Sequence, residues 1–257
     1  MIPVFVAAGG RVVAPDLLGF GRSGKPTEAS AYTFTSHRSV LVGLVEALDL
    51  RDITLVIQDW GGLLGLTLSP AMPQRFTRLI VMNTALGTGD VPLGDGFTAW
   101  RAYNDARPDL DVAALMRRSV PTLSAAEAAA YAAPFLDARY KAGVRRFPNL
   151  VPDRPDADGA EISRATREFW QHSWTRKSFM ASGMLDPILG PRAMRSLHAV
   201  NRACPPPLEL ATAGHFVQEQ GGRDRLVRAL ARNFAPIHVG SWSPSRAETR
   251  SADCSFR

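Results

Sequence analysis

The feature that most constrains the fold is a buried strand that turns directly into a helix. Ile53–Gln58 is a near-continuous apolar run of strand length, and residues 61–68 form a small-residue stretch suited to a helix packed behind it. Strands buried on both faces belong to parallel sheets that are covered by helices. The sequence therefore predicts an α/β fold built around this strand-turn-helix unit.

The same alternation continues along the chain. Strands are also predicted at residues 11–16, 78–83, 179–183 and 208–212. Helices are predicted at residues 37–48, where Ser36 or Thr35 is the expected N-cap, and at residues 225–234. The alternation favours a mostly parallel sheet with helices on both faces.

A long helical stretch interrupts this pattern. From residue 84 to about residue 176 the strand pattern is absent and the chain is rich in alanine, and Ser124 and Glu127 have capping-box spacing. We interpret this stretch as an inserted helical cap. The predicted division is an N-terminal core part, the cap, a C-terminal core part and a Ser/Arg-rich tail that we expect to be disordered, at residues 1–85, 86–176, 177–236 and 237–257.

The basic charge does not predict a nucleic-acid or membrane partner. The net charge is +6, but residues 223–257 hold seven arginines against three acids, so the rest of the chain is nearly neutral. No apolar run reaches the ~20 residues that span a bilayer, and the first residues lack the layout of a secretory signal. Cys204 and Cys254 have no ligand spacing and form no disulfide framework. We therefore expect a cytoplasmic monomer without a metal or an organic cofactor.

A glycine-rich segment resembles two phosphate-binding motifs, and its context argues against both. Gly19, Gly21 and Gly24 match G-x-G-x-x-G, but no helix N-terminus is predicted directly behind the loop. The segment also approaches a P-loop, but Pro26 stands where a Ser or Thr should bind magnesium. We interpret it as a turn.

The residue at the turn after the strand Ile53–Gln58 is Asp59. This is the position of a nucleophile elbow, which exposes one reactive side chain at the edge of the sheet. A carboxylate with a reference pKa of ~3.9 is anionic at neutral pH and needs no base before it attacks a saturated carbon. The alternative reading is that Asp59 is the N-cap of the following helix.

Two further residues complete a set of catalytic type. Asp186 follows the strand predicted at 179–183, and His215 follows the strand predicted at 208–212. Nucleophile, acid and histidine, each on a loop after a strand, is the chain order of α/β-hydrolases. His215, held by Asp186, would activate water against an ester on Asp59.

Three segments resemble the haloalkane dehalogenases of the α/β-hydrolase superfamily: A-P-D-L-L-G-F-G-R-S-G-K-P at residues 14–26, Q-D-W-G-G at residues 58–62 and G-D-G-F-T-A-W at residues 94–100. The resemblance extends from residue 1 to about residue 234 and implies hydrolysis of a small apolar haloalkane to alcohol and halide through an aspartyl ester. It assigns the halide to the indole N–H groups of Trp60 and Trp100, which are donors only. It further implies a substrate pocket lined by Phe97, Phe147, Pro148, Val151, Ile188 and Leu189.

The sequence departs from that family at its start. In the family three strands come first, the third of them ending in an H-G-x-P loop that supplies half of the oxyanion hole, whereas no H-G dipeptide occurs before Arg11. The first three strands are therefore expected to be missing, with residues 1–5 lying in the helix after that loop. We also expect the chain as given to be inactive or very weakly active, and poorly stable.

Two other functions stay open from the sequence. Epoxide hydrolases share the fold and the aspartate nucleophile and need two cap tyrosines, for which Tyr103, Tyr131 and Tyr140 are available. The match at residues 94–100 favours the dehalogenase. The third hypothesis is a degenerate fragment without enzymatic activity, from which halide release would distinguish an active dehalogenase.

Overall fold

A computed structural model describes residues 1–201, 203–220 and 229–230. Its centre is a parallel sheet in which strands β1 to β4 lie in chain order. The strands are β1 (Ile53–Gln58), β2 (Phe76–Met82), β3 (Ser178–Gly183) and β4 (Leu208–Leu210). The α/β prediction is confirmed, and all four strands end at the same edge of the sheet.

The two faces of the sheet are buried in different hydrophobic clusters. Along β2, Leu79 and Val81 pack into one cluster, whereas Ile80 and Met82 pack into the other. This split follows from the two-residue period of a strand. Both faces of β2 are covered, which accounts for its continuous apolar run at residues 79–82. The strand predicted to be buried on both faces, β1, instead lies at the edge of the described sheet, and Val56 in it is 36% exposed.

Helices cover both faces. Helix α1 (Ile2–Ala7) contributes Phe5 to the cluster around Ile80, so the prediction that the first residues are helical is confirmed. Helix α2 (Phe34–Ala47) supplies Val45 to the opposite cluster. Helix α10 (Pro191–Val200) follows β3 and packs on the same face as α2.

The start of α2 differs from the expected cap. Its N-cap is Thr33 rather than Ser36 or Thr35. The hydroxyl of Thr33 accepts from the Ser36 backbone N–H at 2.9 Å, and the Ser36 hydroxyl accepts from the Thr33 N–H at 3.0 Å. Ser36 is therefore the third residue of the helix and the second half of a reciprocal cap, which moves the helix start towards the N-terminus.

The predicted strand at residues 11–16 is wrong. These residues are irregular and mostly exposed, with Val13 37% exposed. A strand is stable only beside a hydrogen-bonded neighbour, and within the described residues β1 pairs with β2 alone. The following loop closes on itself, because Gly19 N–H donates to the Gly24 carbonyl and Arg22 N–H donates to Asp16. The backbone N–H groups of Gly19 and Arg22 are therefore bonded within this turn and do not pair with a strand.

Helices alone connect β2 to β3, as predicted for the insert. The helices are α5 (Asp95–Asp105), α6 (Val112–Ser119), α7 (Ala125–Ala132), α8 (Ala142–Arg146) and α9 (Ala160–His172). The predicted capping box of Ser124 and Glu127 is present at the start of α7. The 3₁₀ turn Phe147–Leu150 packs against α5. The four-segment division of the chain stays a prediction.

Two predicted segments lie outside the described residues. These are most of the helix at residues 225–234 and the whole tail at residues 237–257. Within the described residues, no helix is both long and apolar enough to cross a bilayer.

Candidate active site

Asp59 occupies a strained turn between β1 and the helix that follows it. Its φ is 50° and its ψ is −123°, values that residues with a side chain rarely adopt, and helix α3 (Trp60–Gly65) begins at the next residue. Asp59 N–H donates to the Asn83 carbonyl at 3.0 Å, and the Thr84 hydroxyl donates to the Asp59 carbonyl at 2.7 Å. These two bonds from the end of β2 hold the strained backbone in place.

The close approach of α3 to β2 depends on a glycine. A Cβ on Gly62 would lie 2.1 Å from the Thr84 hydroxyl oxygen, so a larger residue would push α3 away from the loop that fixes Asp59. A second short helix, α4 (Leu68–Ala71), continues the chain beyond α3. The Asp59 side chain makes no capping hydrogen bond to α3. The structure therefore matches the elbow rather than the helix cap that the sequence left open.

His215 lies between the two carboxylates. Its Nδ1 is 2.8 Å from Oδ2 of Asp186, and its Nε2 is 3.7 Å from Oδ1 of Asp59. The three loops after β1, β3 and β4 converge at one sheet edge because parallel strands end on the same side. The structure thus brings together the predicted nucleophile, base and acid.

Asp186 is held on both of its oxygens. Oδ2 accepts from the Asn83 amide at 2.8 Å, and Oδ1 accepts from the backbone N–H groups of Ile188 and Leu189 at 2.9 and 3.0 Å. Asn83 is in turn fixed by the Gly183 N–H, which donates to its Oδ1 at 2.8 Å. Asp186 is 5% exposed, so its orientation towards His215 is fixed from β2 and β3.

The charges of the three groups are coupled. Burial raises the pKa of Asp59, and the nearby His215 and the Trp60 backbone N–H oppose that rise. Burial also opposes ionisation of Asp186, but the hydrogen bond and charge of His215, with the Ile188 N–H and Asn83, lower its pKa on balance. Burial lowers the pKa of His215, whereas Asp186 and Asp59 raise it above its usual value on balance. Because 41% of the Asp59 side chain is exposed, water still solvates the carboxylate and reduces the effect of burial on its pKa.

The indole N–H groups of four tryptophans fall into two classes. Trp170 donates to the Leu66 carbonyl at 3.1 Å and Trp174 to the Ser178 hydroxyl at 2.8 Å. Trp60 and Trp100 are partly exposed, and neither indole N–H has an acceptor among residues 1–201, 203–220 and 229–230. These two donors are therefore available to a ligand.

Two of the predicted pocket residues, Phe147 and Ile188, lie beside the residues described above. Phe147 is buried and its ring meets Trp60 edge-on at 4.6 Å. Trp100 stacks on Tyr103 at 5.8 Å, on the helix α5 that packs against Phe147–Leu150. Gly96 of the same helix approaches Ile188, placing α5 beside the loop that carries Asp186.

The other members of the predicted lining differ in their surroundings. Phe97 carries the Arg101 guanidinium over its ring at 5.3 Å, and Pro148 is buried in the turn after α8. Val151 packs with Leu63 of α3. Leu189 is half-buried and contributes its backbone N–H to Asp186, as described above. The lining as a set stays a prediction.

Three residues of the site were missed by the sequence analysis. Asn83 positions Asp186, Thr84 fixes the Asp59 carbonyl, and the amide nitrogen of Gln58 lies 3.0 Å from Nε2 of His215. Their positions in the sequence could have identified them as candidates. All three stand at the carboxyl end of a strand, on the edge where Asp59 had already been placed.

No cluster of three or more His, Cys, Asp or Glu side chains that could hold a metal ion is present in the part of the chain that the structure describes. The absence of a metal or an organic cofactor stays a prediction.

Epoxide hydrolysis, the alternative from the sequence, would need tyrosine hydroxyls directed at the substrate. The Tyr131 hydroxyl donates instead to Glu219 at 3.3 Å, and Tyr103 is covered by Trp100 and by the Arg107 guanidinium, which lies 3.7 Å from its ring centre. Any pair drawn from Tyr103, Tyr131 and Tyr140 would need at least one of these two engaged tyrosines, so the contacts do not favour an epoxide-binding pair.

Comparison with known proteins identifies the family. Residues 1–222 match the family model described as alpha/beta hydrolase fold. A haloalkane dehalogenase of Psychrobacter cryohalolentis is 41% identical over 227 residues, which cover 86% of this chain and 74% of that protein. Haloalkane dehalogenase 1 of Mycobacterium tuberculosis is 39% identical over 234 residues, covering 90% and 77% of the two chains.

A solved structure agrees with these matches. The haloalkane dehalogenase DpaA of Paraglaciecola agarilytica NO2, which is described as tetrameric, has 46% sequence identity and a TM-score of 0.86, and the match covers 93% of this chain and 78% of that one. The elbow geometry, the order of Asp59, Asp186 and His215, and the relatives agree. The chain belongs to the haloalkane dehalogenase family and has the α/β-hydrolase fold.

Proposed function

We propose that Asp59 is the nucleophile of the hydrolytic dehalogenation that defines this family. One Asp59 oxygen attacks the carbon that bears the halogen from the side opposite the halogen, so that a C–O bond forms as the C–halogen bond breaks. The electron pair of the broken bond leaves with the halide, and the enzyme keeps an alkyl ester. The observation that carries the proposal is the strained elbow, which presents this carboxylate 3.7 Å from His215.

In the second step His215 takes a proton from water while the water oxygen attacks the ester carbon of Asp59. Asp186 keeps the imidazole oriented and stabilises the imidazolium that forms. Collapse of the intermediate breaks the bond to the alkoxide, which leaves as the alcohol with the proton of the His215 imidazolium, and the acid left on Asp59 gives its proton to solvent and becomes a carboxylate again. The Trp60 backbone N–H, which contacts the Asp59 carboxylate, is placed to stabilise the oxyanion.

Alkylation itself prepares the base for this step. Ester formation removes the negative charge of Asp59, and that charge is one of the causes that raise the pKa of His215. The pKa of His215 should therefore fall in the ester intermediate. A larger fraction of the histidine is then neutral, and able to accept a proton, at the moment when water must be activated.

The departing halide is assigned to Trp60 and Trp100. Each has an indole N–H without an acceptor in the described part of the chain, and an indole can only donate. Two neutral donors stabilise developing negative charge without a cation that would retain the product. Phe97, Phe147, Pro148, Val151, Ile188 and Leu189 are proposed to line the apolar pocket around the carbon chain of the substrate.

The expected solution state is a monomer in the cytoplasm. The tetramer described for DpaA is the alternative, and sedimentation equilibrium of this chain distinguishes the two.

Burial raises the pKa of the Cys204 thiol to about 12, so this cysteine is an inert core residue.

Bromide release from 1,2-dibromoethane tests the proposed nucleophile. Asp59→Asn should abolish release, because an amide oxygen is a far weaker nucleophile than a carboxylate. Asp52→Asn is the matched control: Asp52 is exposed and, like Asp59, has a positive φ, at 52°. Equal bromide release by the two variants would overturn the role of Asp59.

A further inference from the structure

Gln58 makes two contacts with the catalytic histidine that the mechanism above does not use. Its amide nitrogen lies 3.1 Å from the His215 carbonyl oxygen and 3.0 Å from the ring nitrogen Nε2. Gln58 is the last residue of β1 and directly precedes the nucleophile. One side chain is thus attached to both the backbone and the ring of His215.

These contacts determine which form of the imidazole is present. A carbonyl oxygen is only an acceptor, so the Gln58 atom beside the His215 carbonyl must be the NH₂ group and not the amide oxygen. The same NH₂ group faces Nε2, which must then offer its lone pair. The proton of the neutral ring consequently sits on Nδ1, where it is donated to Asp186 at 2.8 Å.

We infer that Gln58 is a positioning residue that holds His215 in the neutral form protonated on Nδ1 and occupies the Nε2 lone pair until the hydrolytic water replaces it. This inference rests on the proposed function, because it assigns Gln58 a part in the hydrolysis of the Asp59 ester. Water can be activated only through the same lone pair. The amide must therefore turn away from Nε2 after alkylation, while the bond to the His215 carbonyl can stay.

Gln58 also opposes the two carboxylates that face the ring. Asp59 from the elbow and Asp186 from the loop after β3 both favour the imidazolium. A protonated Nε2 would direct its hydrogen against the Gln58 NH₂ group, which disfavours that form. Gln58 thereby keeps the base available on the acidic side of the pH profile.

Nitrogen NMR on ¹⁵N-histidine-labelled protein tests the inference directly, without substrate. In the wild-type protein the neutral His215 ring should carry its proton on Nδ1, with an unprotonated Nε2. Gln58→Met keeps the length of the side chain and removes the donor, so the pKa of His215 should rise relative to wild type. Gln58→Glu should raise it further, because a carboxylate favours the imidazolium. Gln74→Met, an exposed substitution in the turn Pro73–Arg75, should leave the titration unchanged.

Single-turnover kinetics connect the titration to the reaction. On the acidic limb, Gln58→Met should slow ester hydrolysis by about two- to tenfold, the effect of one hydrogen bond, while the burst of bromide keeps its rate. A wild-type ring protonated on Nε2, or the same His215 pKa in wild type and Gln58→Met, would overturn the inference. Absence of bromide release from wild type would instead count against the proposed function, since the NMR titration is independent of turnover.

Discussion

Asp59 has a strained backbone conformation that positions its carboxylate and lowers the stability of the folded protein. A residue with a side chain in such a sparsely populated region costs about 1 to 3 kcal/mol, and the bonds from Asn83 and Thr84 maintain it. This backbone conformation presents the carboxylate at the sheet edge, where 41% of the side chain is exposed. In the proposed mechanism this strain serves to present the nucleophile.

Replacing Asp59 by glycine should separate stability from activity. Asp59→Gly removes the strain but adds chain entropy to the unfolded state, so we expect the free energy of unfolding to rise by about 1 kcal/mol. Bromide release should disappear at the same time. Urea unfolding followed by circular dichroism measures the first effect, and a variant less stable than wild type would show that the elbow is not strained.

His37 is a buried histidine that does not belong to the proposed catalytic residues. It is 1% exposed, neither ring nitrogen has a hydrogen-bond partner among the described residues, and its ring lies 4.7 Å from Phe147. Burial lowers the pKa of His37 below its usual value of 6.5. The native state therefore binds this proton less readily than the unfolded state does.

The lowered pKa of His37 predicts acid lability. Its contribution to stability is complete above about pH 6.5 and is lost as the pH falls below that value towards the folded-state pKa. The raised pKa of His215 acts in the opposite sense, favouring the fold below its unfolded value. The difference between wild type and His37→Phe isolates the first effect. Denaturation from pH 7.5 to 5 should show the wild type losing stability relative to His37→Phe, and parallel curves would contradict the prediction.

At the scale of elements, helix α5 carries one of the two tryptophans of the proposed halide site. It carries Trp100, packs on the turn Phe147–Leu150, and places Gly96 against the loop of Asp186. If both tryptophans bind the halide as proposed, the position of α5 determines whether they bind the same ion.

Halide titration of tryptophan fluorescence tests this arrangement. Iodide or bromide should quench the wild-type protein saturably, and Trp100→Phe should remove most of that effect. Trp174→Phe is the matched control, because the indole of Trp174 donates to Ser178 in the core. Linear, collisional quenching of the wild-type protein would contradict halide binding and would indicate that Trp100 only packs within the insert.

The elements also show what a sequence can predict. The run Ile53–Gln58 is mostly apolar and of strand length, so its bounds followed from composition, although only Ile57 in it is fully buried. Residues 11–16 have similar local composition, but strand formation depends on a distant hydrogen-bonded neighbour that a local pattern does not contain. Asp59, Asp186 and His215 were predicted from their order after strands, whereas the amides of Asn83 and Gln58 act through contacts between segments far apart in sequence.

At the scale of the whole molecule, the proposed site lies between the sheet and the helical insert that joins β2 to β3. The loops after the strands carry the three proposed catalytic residues, and the insert carries Phe147 and Trp100. The loop of His215 is tied to the insert as well, since Gln220 accepts from the Gly214 N–H and donates to the Ser119 carbonyl at 3.0 Å. Gln220 therefore links the loop of His215 to the end of α6.

The central claim is a covalent ester on Asp59, and trapping that ester tests it most directly. His215→Gln leaves the nucleophile intact and removes the base, so this variant incubated with 1,2-dibromoethane should accumulate a bromoethyl adduct. The expected tryptic peptide spans residues 52–75 and contains both Asp52 and Asp59, so tandem mass spectrometry must assign the adduct to one of them. The account predicts a stoichiometric adduct on Asp59, which disappears in a variant that also carries Asp59→Asn. A folded His215→Gln protein without an adduct on Asp59 would contradict the covalent mechanism.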